Sequence, residues 1–119
     1  MPHVTLELSA NVVETNLSSL LVEINTLLAD MLPTQIAGCK SRVIRHQEYV
    51  IADNPPQNAF VHADIRVLKG RSQALLDAVA TKIMEKLQAA FILSSKNLNL
   101  QFTIAVGELP AVYHKVANS

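Results

Sequence analysis

The sequence predicts an α+β domain in which one strand–helix–strand unit is used twice. This is a double βαβ chain (βαββαβ), with four strands in one sheet and two helices on one of its faces. Three observations carry the expectation. Apolar residues alternate with polar ones in three segments, at 3–8, 59–68 and 98–106. Two stripes of apolar residues recur at steps of three and four between strand segments. The strongest turn signal, Asp53-Asn54-Pro55-Pro56-Gln57-Asn58, falls between the two units.

Taken in order, Val4, Leu6 and Leu8 alternate with polar neighbours and make a half-buried first strand. Residues 9–15 are polar and irregular. The first helix then carries Leu17, Leu20, Ile24, Leu28 and Met31 on one stripe, with Thr15 or Asn16 as its expected cap and Pro33 after its end. A short loop leads through Gly38 to a long second strand, Cys39 to Ile51, whose imperfect alternation predicts a bend or bulge. The third strand turns Val61, Ala63, Ile65 and Val67 to one face and Phe60, His62, Asp64 and Arg66 to the other. Gly70 breaks it, and Ser72 caps a second helix whose stripe runs from Leu75 to Phe91. Leu98, Leu100, Phe102, Ile104 and Val106 form the fourth strand, and residues 107–119 follow as an arm or tail. Helices on one face leave the other bare, and a wide, partly apolar sheet face predicts self-association.

Length and composition narrow the function. At 119 residues and 13.0 kDa, with half the residues apolar, the chain makes one domain over 1–119. Cys39 is the single cysteine, so no internal disulfide is possible, and a cytoplasmic setting is expected. Ten basic residues balance ten acidic ones and there is no Trp, which argues against a nucleic-acid partner. The start has no basic and apolar leader, and no apolar run approaches the roughly 20 residues of a membrane span, so no membrane partner is expected. The four histidines lack ligand spacing and no glycine-rich phosphate loop occurs, so neither metal nor cofactor is expected. Cys39 reads as a small buried hydrophobe, and His3 and His62 as packing histidines.

Charge is unevenly placed. Residues 40–71 hold six basic residues, including all four arginines, against three acidic ones; six minus three leaves +3 there and −3 for the rest. Such a window suits a small anion, since guanidinium pairs with carboxylate through a two-pronged fork. Pro2 begins the first strand. With Met1 removed, its nitrogen is a secondary amine, and an apolar, cationic setting keeps such an amine neutral enough to act as a base. With Met1 attached, the same nitrogen is an amide.

Three local stretches add a resemblance. Pro2-His3 opens the chain and is followed by Glu7; Ala37-Gly38-Cys39-Lys40-Ser41-Arg42-Val43 follows the first helix; Ala59-Phe60-Val61-His62 and Gly70-Arg71-Ser72 bracket the third strand. In register, from Pro2 to about Val106, they resemble the 5-carboxymethyl-2-hydroxymuconate isomerases of the tautomerase superfamily. The resemblance implies the same double βαβ fold, a homotrimer, and an isomerase without cofactor or metal that acts in aromatic-acid breakdown. Its substrate is a small carboxylate, a 2-hydroxymuconate-type dienol, converted to the conjugated ketone. It implies Pro2 as general base and Arg42 and Arg71 as substrate-binding cations. Lys40 stands where the family carries an arginine; it keeps the charge and loses the planar fork. Two rivals remain at this level. One is a non-enzymatic, ferredoxin-like module for small-anion binding or oligomerisation. The other is tautomerase or dehalogenase chemistry on a different substrate.

Overall fold

Alternating side chains build the sheet in this computed structural model, which describes residues 1–118. Ser119, the last residue of the expected tail, lies outside the described residues. Four strands form one sheet: β1 (His3–Ser9), β2 (Lys40–His46), β3 (Asn58–Val67) and β4 (Asn99–Glu108). Their order is β2-β1-β3-β4. β1 lies parallel to β2, β3 parallel to β4, and β1 antiparallel to β3. Each strand–helix–strand unit therefore pairs its own two strands directly. Val4, Leu6 and Leu8 of β1 and Val61, Ile65 and Val67 of β3 are buried on one face.

Two helices cover that face. α1 (Ser18–Met31) buries Leu20, Ile24 and Leu28, and α2 (Gln73–Ala90) buries Val79, Ile83 and Leu87. Phe91, fully buried, closes the core at the end of α2. The Ser72 hydroxyl accepts the Leu75 N–H at 3.2 Å, the expected cap. No helix among the described residues is long and apolar enough to cross a membrane.

The structure corrects several expected boundaries. The second strand stops at His46 rather than reaching Ile51, because β2 is an edge strand and its only neighbour, β1, ends at Ser9 opposite His46. The chain then turns through Ala52 (φ 54°) and Asn54 (φ 80°). Neither Thr15 nor Asn16 caps α1. Arg45 holds the Val12 and Glu14 carbonyls at 2.7 Å each, and Asn16 swings the chain into the helix with φ 56°, leaving Leu17 as a cap with no side-chain bond. A short third helix, α3 (Ile92–Asn97), follows α2 where no element was expected. The Glu14 carboxylate pins it, accepting from the Ser94 N–H at 3.0 Å and from the Ser94 hydroxyl. β4 runs two residues into the expected tail, because β3 extends far enough to pair Val67 with Glu108.

Candidate active site

One end of the sheet gathers the chemistry. β1 and β2 begin there, with His3 opposite Lys40, and the antiparallel β3 ends there, with Arg66 opposite His3. β4, parallel to β3, ends there too. The topology thus brings Pro2, the turn at Ile36–Gly38, the Gly70-Arg71 loop and the start of the C-terminal segment to the same end.

Pro2 is buried, and its carbonyl accepts the Lys40 N–H at 3.0 Å, extending the β1–β2 ladder by one step. The N-terminal amine, carried by Met1, donates to the Gly38 carbonyl. The Lys40 ammonium donates to the same oxygen at 3.3 Å. Position 38 must be small for this: a Cβ there would stand 2.7 Å from the amine nitrogen. Burial, then the positive charges of Lys40 and Lys115, pull the amine below its ordinary value of 8.0, while Cys39 acts the other way. Cys39 is buried beside this amine, and burial pushes its thiol up.

Arg42 and His3 form a second group, on the face without helices. The Arg42 guanidinium lies 3.0 Å from His3 Nδ1, and the Tyr113 hydroxyl lies 2.7 Å from His3 Nε2. A guanidinium has only donors, so Nδ1 accepts and the neutral ring carries its proton on Nε2. Burial first, then the charges of Arg42, Lys40 and the terminal amine, lower the His3 pKa and favour that neutral ring.

Arg71 is held differently. Its guanidinium donates to Leu32 O at 3.1 Å and Leu68 O at 3.2 Å. Leu32 is the C-terminal cap of α1, where a cation meets unsatisfied helix carbonyls. Two of its five N–H donors are so used. The structure therefore joins Lys40 to the N-terminus and Arg42 to His3, and ties Arg71 to backbone at the same end. The reading of His3 and His62 as ordinary histidines holds for His62, which bonds the Thr103 hydroxyl at 2.7 Å. His3 is likewise satisfied at both ring nitrogens, and through them it links Arg42 to the C-terminal segment. Among the described residues, no three His, Cys, Asp or Glu side chains gather closely enough to hold a metal ion.

The sequence model of the 5-carboxymethyl-2-hydroxymuconate isomerases matches residues 2–119. The chain belongs to that family. The isomerase family match is joined by likeness among solved structures. A 5-carboxymethyl-2-hydroxymuconate isomerase from Deinococcus radiodurans R1 is 26% identical, with a TM-score of 0.87 over 96% of this chain and 88% of that one. A 5-carboxymethyl-2-hydroxymuconate delta-isomerase, 18% identical, shares the fold with a TM-score of 0.79 over 99% of this chain and 89% of that one. A fused 4-OT symmetric trimer shares it at 13% identity, with a TM-score of 0.70 over 98% and 92% of the two chains. No curated protein matches in sequence. The fold is thus that of the tautomerase superfamily and the protein is an isomerase. The ferredoxin-like rival loses its footing in the topology, because a ferredoxin-like sheet splits each βαβ unit with an intervening strand and this sheet does not.

Proposed function

We propose that the chain, with Met1 removed, is a cofactor-independent tautomerase that converts an anionic 2-hydroxymuconate-type dienol into its conjugated ketone. The observation that carries this reading is the pairing of a terminal amine with Lys40 at one carbonyl, in surroundings that lower the amine's basicity. Removing Met1 puts the secondary amine of Pro2 at the head of the same sheet end. A neutral amine has the lone pair a base requires.

The neutral Pro2 nitrogen takes the proton of the enolic hydroxyl. The oxygen's electron pair forms the carbonyl, and the double bonds shift along the conjugated chain. The protonated Pro2 then delivers its proton to the distant carbon, which restores the free amine and gives the ketone. Lys40, Arg42 and Arg71 hold the carboxylates and stabilise the charge spread through the dienolate. No redox change occurs, and the step needs no metal or cofactor.

The active form is a homotrimer, and the cytoplasm is its setting. The helix-free sheet face supports the first point: it carries Ile44 and Phe60 among polar side chains. Such chemistry belongs to the breakdown of aromatic acids.

The test follows ketonisation of 2-hydroxymuconate by ultraviolet absorbance. Three proteins are compared: the Met-free chain, a Met-retaining chain and Pro2→Ala in the Met-free form. A positioned base contributes about 10² to 10⁴ in rate, so the Met-retaining chain, whose Pro2 nitrogen is an amide, is expected to fall by at least about 10²-fold in kcat/KM, and Pro2→Ala, which keeps a primary terminal amine, to fall by less. Met-free protein no faster than buffer sinks the reading. Phenylpyruvate and 3-chloroacrylate, run alongside, separate the muconate reaction from other chemistry on the same scaffold.

A further inference from the structure

The chain after β4 does not leave the molecule. Leu109 is buried, and its N–H donates to Val67 O at 2.7 Å, which fastens the segment to the end of β3. Four residues on, the Tyr113 ring meets His3 edge-on, with ring centroids 5.9 Å apart and planes at 78°. Its hydroxyl lies 2.7 Å from His3 Nε2.

The proton inventory of this group is decisive. Arg42 donates to Nδ1, so Nε2 carries the hydrogen and donates to the Tyr113 oxygen. Tyr113 accepts in that bond, and its own hydroxyl hydrogen has no acceptor among the described residues. The charged groups that act on His3 are Arg42, Lys40 and the terminal amine, all cations. Arg42 and Lys40 are both exposed. Lys115, two residues beyond Tyr113, adds its charge at the terminal amine. A hydroxyl with an unspent proton thus stands beside cations, while Asp64, opposite Thr5 on β3, is already paired with Arg66 at 3.3 Å.

We propose that Tyr113 is a substrate-binding residue whose hydroxyl donates to a carboxylate oxygen of the substrate, oriented by the relay from Arg42 through His3. This rests on the isomerase reading above and deepens it. The C-terminal segment acts as a strap that brings the donor to the sheet end.

The experiment uses Met-free protein and Tyr113→Phe, which keeps the ring and removes only the hydroxyl. His114→Ala, an exposed neighbour, is the control. Two quantities are read: kcat and KM for 2-hydroxymuconate ketonisation, and the calorimetric Kd for cis,cis-muconate, a dicarboxylate with no enol to ketonise. Hydrogen bonds to charged groups set the scale, and Y113F is expected to raise KM and Kd by about tenfold or more while kcat moves little. H114A leaves both unchanged. A hydroxyl that only tethers the strap predicts equal muconate affinity, so KM and Kd within about twofold of wild type overturn the inference. Wild-type protein that binds muconate but does not ketonise the dienol ends the isomerase reading, and the Kd comparison still decides the role of Tyr113. Wild type that turns over normally, with Y113F matching it in both quantities, ends this inference alone. Wild type that neither binds nor reacts ends both.

Discussion

Lys40 does two things at one atom's distance from the terminal amine. It shares the Gly38 carbonyl with that amine, and its charge favours the amine's neutral form. In the Met-free chain the base is the Pro2 nitrogen, one residue along from the amine that Met1 carries, and a base works only when neutral, so the rate is expected to rise with pH through the pKa of the Pro2 amine. Removing the Lys40 charge raises that pKa. Lys40→Met is therefore expected to shift the rising limb of the pH–rate profile to higher pH. It is also expected to raise KM, by no more than about tenfold, since an exposed charge is partly screened. A rising limb that stays where wild type has it shows that Lys40 does not act on the base. The lysine was legible in the sequence as a member of a basic window. That it meets the amine at one carbonyl was not, because this depends on the turn at Ile36–Gly38.

At the level of elements, α2 was read correctly from its stripe and its cap, while α1 was read correctly from its stripe alone. The difference is physical. Ser72 satisfies a helix N–H locally, three residues along the chain, so its signal is contained in the sequence around it. The start of α1 is set by Arg45 holding the Val12 and Glu14 carbonyls from more than 30 residues away. Ser72→Ala is expected to cost about 1 kcal/mol, read as a lower midpoint of denaturant unfolding with an unchanged slope. An unchanged midpoint assigns the start of α2 to packing instead. α3 escaped notice because six residues span less than two helical turns, too few for a period to declare itself.

For the whole molecule, the consequential surface is the sheet face opposite the helices. Glu7 and His46 pair there at 2.7 Å, and Phe60 lies against the rings of His46 and Tyr49. These contacts leave Ile44 and part of Phe60 open to solvent. Sedimentation of the wild type is expected to give about 39 kDa, three times the 13.0 kDa chain. Phe60→Glu places a charge in that face and is expected to lower the mass toward a single chain. Wild type sedimenting as one chain removes the trimer. This variant leaves the buried face of β3 untouched, so its fold is expected to survive, as checked by circular dichroism.

The sequence by itself determined the two strand–helix–strand units, the alternation of β1, β3 and β4 and the cap of α2. These follow from residues two, three and four apart, whose side chains share a face whatever the rest of the chain does. It also determined, through resemblance, which residues to watch. Only the tertiary structure decided the strand order, the early end of β2, the capture of Arg71 by α1 and the meeting of His3 with Tyr113 across 110 residues. Those contacts depend on which strands are neighbours and in what register. That choice is made by the burial of one whole face at once, and no short stretch of the chain contains it.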